Sequence, residues 1–393
     1  MTRFIQIHAL TVYAPSNLNR DDTGRPKTAK FGGAERLRIS SQALKRAIRT
    51  SEAFEKRLDG HLGKRTARAG DWFREQLIGA GLREEQATAI AKTLSALIGT
   101  PDASKPNPQV RNKELFFMAP EERAAFASMA SDIFKDPALA EELANAAGVV
   151  EDEDGDDSED DAPKKKEKKK GLSKKRISEL REKVLVTVDT AADIAMFGRM
   201  VASAAKFNRE AAVQVAHAIT THKVEVEDDF YTAVDDLKKP SEDAGAGFIG
   251  ELGFGSGVFY IYACIDRALL EKNLSGDKGL TAASITALLE GLATSSPTGK
   301  QASFASRSRA SYLRVEKGNQ QTRSLAAAFF NPVRGDDLLK ASIARIEDPE
   351  VGLAKQMTDA YGACFDHANT MSFIAGETGH GSLAELCTFA AAE

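Results

Sequence analysis

Nine lysines and arginines against three acidic residues fall between Asn19 and Arg49, a net charge of +6 in a chain of 393 residues whose total is −4. Residues of this type at this density suit one kind of chemistry, the holding of phosphates. Lys45, Arg46 and Arg49 fall within one helical turn of each other. On a helix such like charges sit side by side at a cost of roughly 0.2–0.5 kcal/mol per pair. An anion lying across them removes that cost. Ser40 or Ser41 offers an N-cap just ahead of the run, so the amides of Ser40 to Gln42 are expected to open the helix as a place for one phosphate. An ordinary solvated basic surface is the competing reading.

Other chemistry-bearing residues fit their templates less well. Gly245-Ala246-Gly247-Phe248-Ile249-Gly250 matches G-x-G-x-x-G, but it follows polar "DDLKKPSED" and leads into a strand-like run. The dinucleotide fingerprint needs a strand before it and a helix after it, so a flexible glycine hinge is the better reading. Pro297-Thr298-Gly299-Lys300 resembles the end of a phosphate loop, yet Thr294 stands where the earlier glycine belongs and Gln301 replaces the Ser or Thr. An ATP site fails there; a single lysine beside a phosphate stays open. His217 and His222 have Glu225, Glu227, Asp228 and Asp229 nearby, but five residues apart on a strand they face opposite sides. No H-E-x-x-H or Cys/His pattern occurs. Asp235 and Asp236 offer carboxylates for metal-assisted RNA cleavage, or are turn residues of an exposed loop. No catalytic serine or cysteine arrangement is legible, and the expectation is no catalytic residue, no metal and no cofactor.

The elements that must position these residues follow from periodicity. Hydrophobic content of 42% and charged content of 28% are those of a globular protein. The longest clean apolar run, Val258 to Ile265, is far below the ~20 residues that span a bilayer. The start of the chain is no signal-peptide core, being broken by Gln6 and His8. Cys264, Cys364 and Cys387 are odd in number and widely spaced, as reduced cytosolic thiols are. A cytoplasmic protein with no membrane partner is expected.

Phe4–Val12 alternates as an opening strand, and "RLRI" (36–39) as a strand with one apolar and one basic face. "SQALKRAIR" continues as a helix anchored by Leu44 and Ile48. Residues 72–147 read as a helical block without strands, with Pro120 in a first helical turn. Glu151–Lys170 carries nine acidic residues, then six lysines and one glutamate; it buries no core and is expected to be disordered. Its lysines, 164–170, read as a solvated tail or a non-specific nucleic-acid attraction. Beyond it come a strand at "VLVTVD", a helix over "TAADIAMFGRMVASAAKF", strands in "VQVAHAITTHKVEVEDDFYTAV" and "GSGVFYIYACI", a helix at "TAASITALLEGLA" and a last strand at "SLAAAFF". This order predicts an α+β fold, a ferredoxin-like or RNA-recognition-motif-like sheet with insertions.

Five spaced segments, "NRDD…KFGG…RLRISSQALKRAIR", "DIAMFGRM", "VQVAHAITTHKVEVEDDFYTAVDDL", "GFIGELGFGSGVFYIY" and "SPTGKQ", together resemble the backbone subunit of the type I-E CRISPR Cascade complex, the CasC family. The resemblance implies a palm like an RNA-recognition motif (1–59, 181–221 and 251–393, with C-terminal helices), helical fingers at 60–180 with a disordered 150–171, and a thumb β-hairpin at 222–250. It implies a non-catalytic subunit that polymerises head to tail along a CRISPR RNA and presents it to target DNA in antiviral defence. The other implied partners are Cascade subunits: the guide 5′-end-capping subunit, the 3′-hairpin-binding endoribonuclease, and the large and small subunits. The RNA-binding residues carried over are Arg20, Lys27, Ser40, Gln42, Lys45, Arg46, Arg49 and Lys300. Met196 and Thr232 are carried over as the residues nearest a displaced nucleotide. The alternative is a guide-dependent backbone endoribonuclease, using Asp235 or Asp236 of the thumb as metal ligand.

Overall fold

Strand-forming segments recur along the whole chain, and a helical segment interrupts them. The computed structural model describes residues 2–146, 171–185, 190–201, 204–233, 248–362, 369–377 and 381–393. The strands, in chain order, are β1 Phe4–Ser16, β2 Thr28–Phe31, β3 Ala34–Ile39, β4 Lys64–Thr66, β5 Phe116–Met118 and β6 Val213–Val215. They continue with β7 Ala218–Thr220, β8 Glu227–Ala233, β9 Phe248–Asp266, β10 Ala310–Gly318 and β11 Thr370–Ile374. The helix α1, Ser41–Arg49, follows β3 directly. The chain divides into two compact units, one of 1–59, 212–272 and 277–393, the other of 60–211 and 273–276.

The first unit is built on an antiparallel sheet in the order β11-β10-β1-β9-β7-β3-β2. The 19-residue β9 carries β1 along one edge and β6, β7 and β8 in succession along the other. Alternation along β1 sends Ile5, Ile7 and Ala9 to one face and Gln6, His8 and Leu10 to the other, and all six are fully buried. Both faces are therefore covered. The face carrying Leu10, Tyr260 and Tyr312 packs against Leu325, Phe329, Val333 and Ile346 of the C-terminal segment.

That second layer corrects the reading of "RLRI". Leu37 and Ile39 are buried as expected, but Arg36 is fully buried too. Its guanidinium donates to Thr220 O (2.9 Å) and Phe329 O (2.8 Å), which tie β3 to β7 and to the covering layer. Burial pushes the Arg36 pKa down, with Arg345 adding to the effect. Only the Arg38 end of the expected basic face reaches solvent in part.

The expected last strand, "SLAAAFF", is instead a short 3-10 turn, Ala326–Phe329. The strand in that region is β10, which runs antiparallel to β1 from Phe4↔Gly318 to Leu10↔Tyr312. Charged residues inside β10 hid it, because in the fold they are paired internally. Glu316, 1% exposed, accepts from Arg314 Nε (2.7 Å) and Gln6 Nε2 (3.3 Å), and forms an ion pair with Arg323. Burial opposes ionisation of Glu316, yet His8 beside it, with Arg323 and Arg314 adding to the effect, holds its carboxyl far below the ordinary range. Burial pushes His8, whose Nδ1 meets Tyr260 OH at 2.8 Å, toward its neutral form.

At the end of the chain, the last carbonyls of the helix Leu383–Ala391 are capped by buried cations. Arg267 donates to Ala391 O and Ala392 O (2.9 and 2.6 Å), and Lys317 to Phe389 O and Ala392 O (2.9 and 2.8 Å).

The second unit is mainly helical around one apolar core, in which Phe73 stacks on Phe126 with ring centroids 3.8 Å apart. Pro120 opens the helix Pro120–Lys135 as expected. The block is not free of strands, however: β4 and β5 pair from Lys64↔Met118 to Thr66↔Phe116. The helix expected over 190–207 covers only Ala192–Phe197. Gly198 ends it at φ +78, where an added Cβ would lie 3.1 Å from Ala211 Cβ and Arg209 O. Arg199 then turns inward to a buried ion pair with Glu122 (2.7 Å). Of the strand expected at 184–189, Val184 instead closes the helix Lys174–Val184, and 186–189 lie outside the described residues. So does the acidic-then-basic run, within 147–170. Among the described residues no helix is long and apolar enough to cross a membrane.

Candidate nucleic-acid interface

The segment between β1 and α1 is fixed by its own polar residues. Asn17 donates to Gly24 O and Gly253 O, both at 2.9 Å, and holds the loop 17–24 against β9. Asp21 Oδ1 accepts from the amides of Thr23 (2.9 Å) and Arg25 (3.0 Å), which closes the turn. Arg20 and Pro26 form an isolated antiparallel bridge across that loop. Asn19 then joins three parts of the site: its carbonyl accepts from Lys27 N and its Oδ1 from Ser40 N, both at 2.8 Å. Arg38 N reaches Lys27 O at 2.8 Å. A shallow cleft lies here, with Leu18, Leu37 and Phe259 as floor and Asn19, Lys27 and Arg38 as rim.

Ser40 is the N-cap of α1, its Oγ accepting from Ala43 N at 3.3 Å. Leu44 and Ile48 bury one face of the helix. The other presents Gln42 and Arg46 to solvent, with Lys45 and Arg49 half-buried. Burial lowers the Lys45 pKa. Arg46 and Arg49 lie in the last turn, where the helix dipole favours cations and offsets part of their mutual repulsion.

The expected phosphate cradle of open amides differs in detail. Ser40 N is committed to Asn19, Ala43 N to Ser40 Oγ, and Ser41 N to His217 Nδ1 at 3.2 Å. Arg38 Nη1 shares the same ring nitrogen at 3.2 Å. Burial lowers the His217 pKa, and the charges of Arg38 and Lys27 lower it further. The sequence suggests His217 only as a metal ligand. The alternation around β7 does not reveal that it sits at the head of α1.

The "PTGKQ" turn belongs to the same unit. An added Cβ at Gly299 would lie 2.3 Å from Leu18 O and 2.8 Å from Asn17 O, so glycine lets this turn rest on the Asn17–Leu18 backbone. Lys300, exposed and at φ +51, follows it. Gln301 clamps the turn through Pro297 O (3.0 Å) and Ser306 O (2.9 Å), the place a metal-binding hydroxyl holds in a true phosphate loop. Arg20, Lys27, Ser40, Gln42, Lys45, Arg46, Arg49 and Lys300 thus all lie in the first unit.

The hairpin of β8 and the start of β9 pairs from Glu227↔Phe254 to Ala233↔Phe248. Thr232 is exposed there, as are Phe230 (72%), Tyr231 and Ile249. Met196, in the second unit, is fully buried, whereas Met200 of the same "DIAMFGRM" segment is 80% exposed. The expectation of one continuous helix hid this difference, because the break at Gly198 re-aims the second methionine. Asp235, Asp236 and Gly245–Gly247 lie outside the described residues. Among those described, no group of three or more His, Cys, Asp or Glu residues is placed to hold a metal.

A chain of a solved structure titled "CRISPR RNA-guided surveillance complex, pre-nicking" shares the fold, with a TM-score of 0.79, 25% identity and 99% of each chain covered. A chain of a second, "CRISPR RNA-guided surveillance complex", matches with a TM-score of 0.67 at 24% identity, over 98% of this chain and 94% of that one. No curated protein matches the chain. The family model described as CT1975-like protein (Cas_CT1975) matches residues 5–387. With nearly the whole length matched, this chain belongs to the CT1975-like family.

Proposed function

We propose that the chain is a subunit of a CRISPR surveillance complex of the Cascade type, where it binds the guide RNA as a non-catalytic backbone and repeats head to tail along it. The observation that carries this reading is the end-to-end likeness to a chain of such a complex. The stitched basic segment from Arg20 to Arg49 supplies the physical means. A guide must be gripped by its backbone, because base pairing supplies the sequence specificity. Cations at phosphates give that sequence-independent grip. Arg20, Lys27, Lys45, Arg46, Arg49 and Lys300 supply charge, and Ser40 and Gln42 shape the head of the helix. The sheet of the first unit serves as the palm, akin to an RNA-recognition motif, the second unit as fingers and the β8–β9 hairpin as thumb. A wedge that unstacks a nucleotide must stand clear of the core. Thr232 meets that requirement and Met196 does not, so the methionine of the wedge is Met200.

Lys45→Ala/Arg49→Ala is expected to weaken RNA binding about equally for unrelated sequences. It should also lower the slope of log K against log[salt], by about 0.7 for each phosphate of a single strand that is no longer neutralised. Filter binding across a salt series tests this, and an unchanged affinity with an unchanged slope refutes the assignment.

A further inference from the structure

His217 stands where the guide backbone is read to pass. Its Nδ1 accepts from Ser41 N and from Arg38 Nη1, both at 3.2 Å. A nitrogen that accepts two N–H groups carries no proton, so the ring is neutral and its hydrogen sits on Nε2. These two donors, a first-turn helix amide and a guanidinium, are the groups a phosphate oxygen takes most readily. The imidazole lone pair therefore occupies, within the protein, a place of phosphate chemistry. Arg38 on β3 and Lys27 ahead of β2 are the charged groups whose fields reach the ring, and both oppose its protonation while no anion is present. His217 is exposed and lies in the short link between β6 and β7, just ahead of Ala218.

We propose that His217 is an internal stand-in for the guide phosphate: RNA takes Ser41 N–H and Arg38 from the imidazole, and the released ring takes up a proton and becomes a further cation at the site. The inference rests on the RNA-binding reading above and adds a linkage to it. Two hydrogen bonds to Nδ1 break, one N–H bond forms with a proton from solvent, and the anion gains both donors. Because binding takes up a proton, affinity rises as pH falls from about 8 toward about 6. The change reaches at most about tenfold per pH unit for one proton per site.

The test uses the full chain with oligouridine, whose bases do not titrate in this range. Wild type should bind more tightly as pH falls. His217→Asn keeps an acceptor near Nδ1 but takes no proton, so its affinity should stay flat. His217→Ala removes the competitor, and should be flat and at least as tight as wild type near pH 8. Calorimetry of the wild type in buffers of different ionisation enthalpy should read proton uptake on binding, independently of any variant's fold. Equal pH slopes for wild type and His217→Asn, or no proton uptake by the wild type, overturn the linkage while leaving RNA binding intact. A wild type that binds no oligouridine at any pH removes the RNA-binding reading itself, and this inference with it.

Discussion

Glu316 shows how single residues depart from what their type suggests. Its charge suggests a solvated side chain, but in the fold Arg314 and Arg323 converge on its buried carboxylate. Breaking a buried ion pair by removing one partner costs about 3–5 kcal/mol, because the remaining charge is stranded. Arg314 retains Glu347 at 2.5 Å, so Glu316→Gln is expected near the lower end, about 3 kcal/mol. Urea denaturation measures it, and a loss under about 1 kcal/mol would mean the network relaxes without its anion. Arg36 teaches the same lesson. Its alternation with Leu37 is plain in the sequence, but nothing local announces that a distant segment, Leu325–Val333, covers its face.

At the scale of elements, α1 is the most legible part of the chain. Leu44 and Ile48 mark its buried face, and Ser40 caps it. Ser40→Ala is expected to cost about 1 kcal/mol, because Ala43 N loses its acceptor. The shift of a thermal or urea midpoint reads this directly, and none at all would mean that water replaces the cap. The strands β1 and β9 and the helix Lys278–Thr294 are equally visible, since their apolar periods run long. Short elements are not. β5 is three residues in a helical neighbourhood, and the helix ended by Gly198 is easily overrun because its apolar spacing continues past the glycine. Of the site, charges and cap are readable; the hydrogen bonds of Asn19 and His217, which join residues far apart in the chain, are not.

For the whole molecule, the buried titratable groups set a pH response. His8 is pushed down by burial, so the unfolded chain binds the proton that the folded chain refuses, and stability falls as pH drops below about 6.5. Glu316 is held down in the fold, so its contribution is complete above about 4.5 and is lost as pH falls further. Thermal midpoints should decline in acid in these two stages. Glu316→Gln should flatten the lower one, and an unaltered lower stage in that variant would assign it to other carboxylates.

β1 lies between β9 and β10, with Ile5 opposite Ile265 on one side and Lys317 on the other. During synthesis it leaves the ribosome well before either neighbour exists, and two apolar edges stay unpaired while the entire helical unit is made. The sheet cannot close until β10 has emerged. Pairings this distant in sequence fold slowly, so a nascent chain stalled or truncated before residue 310 is the form most exposed to aggregation and most in need of a chaperone.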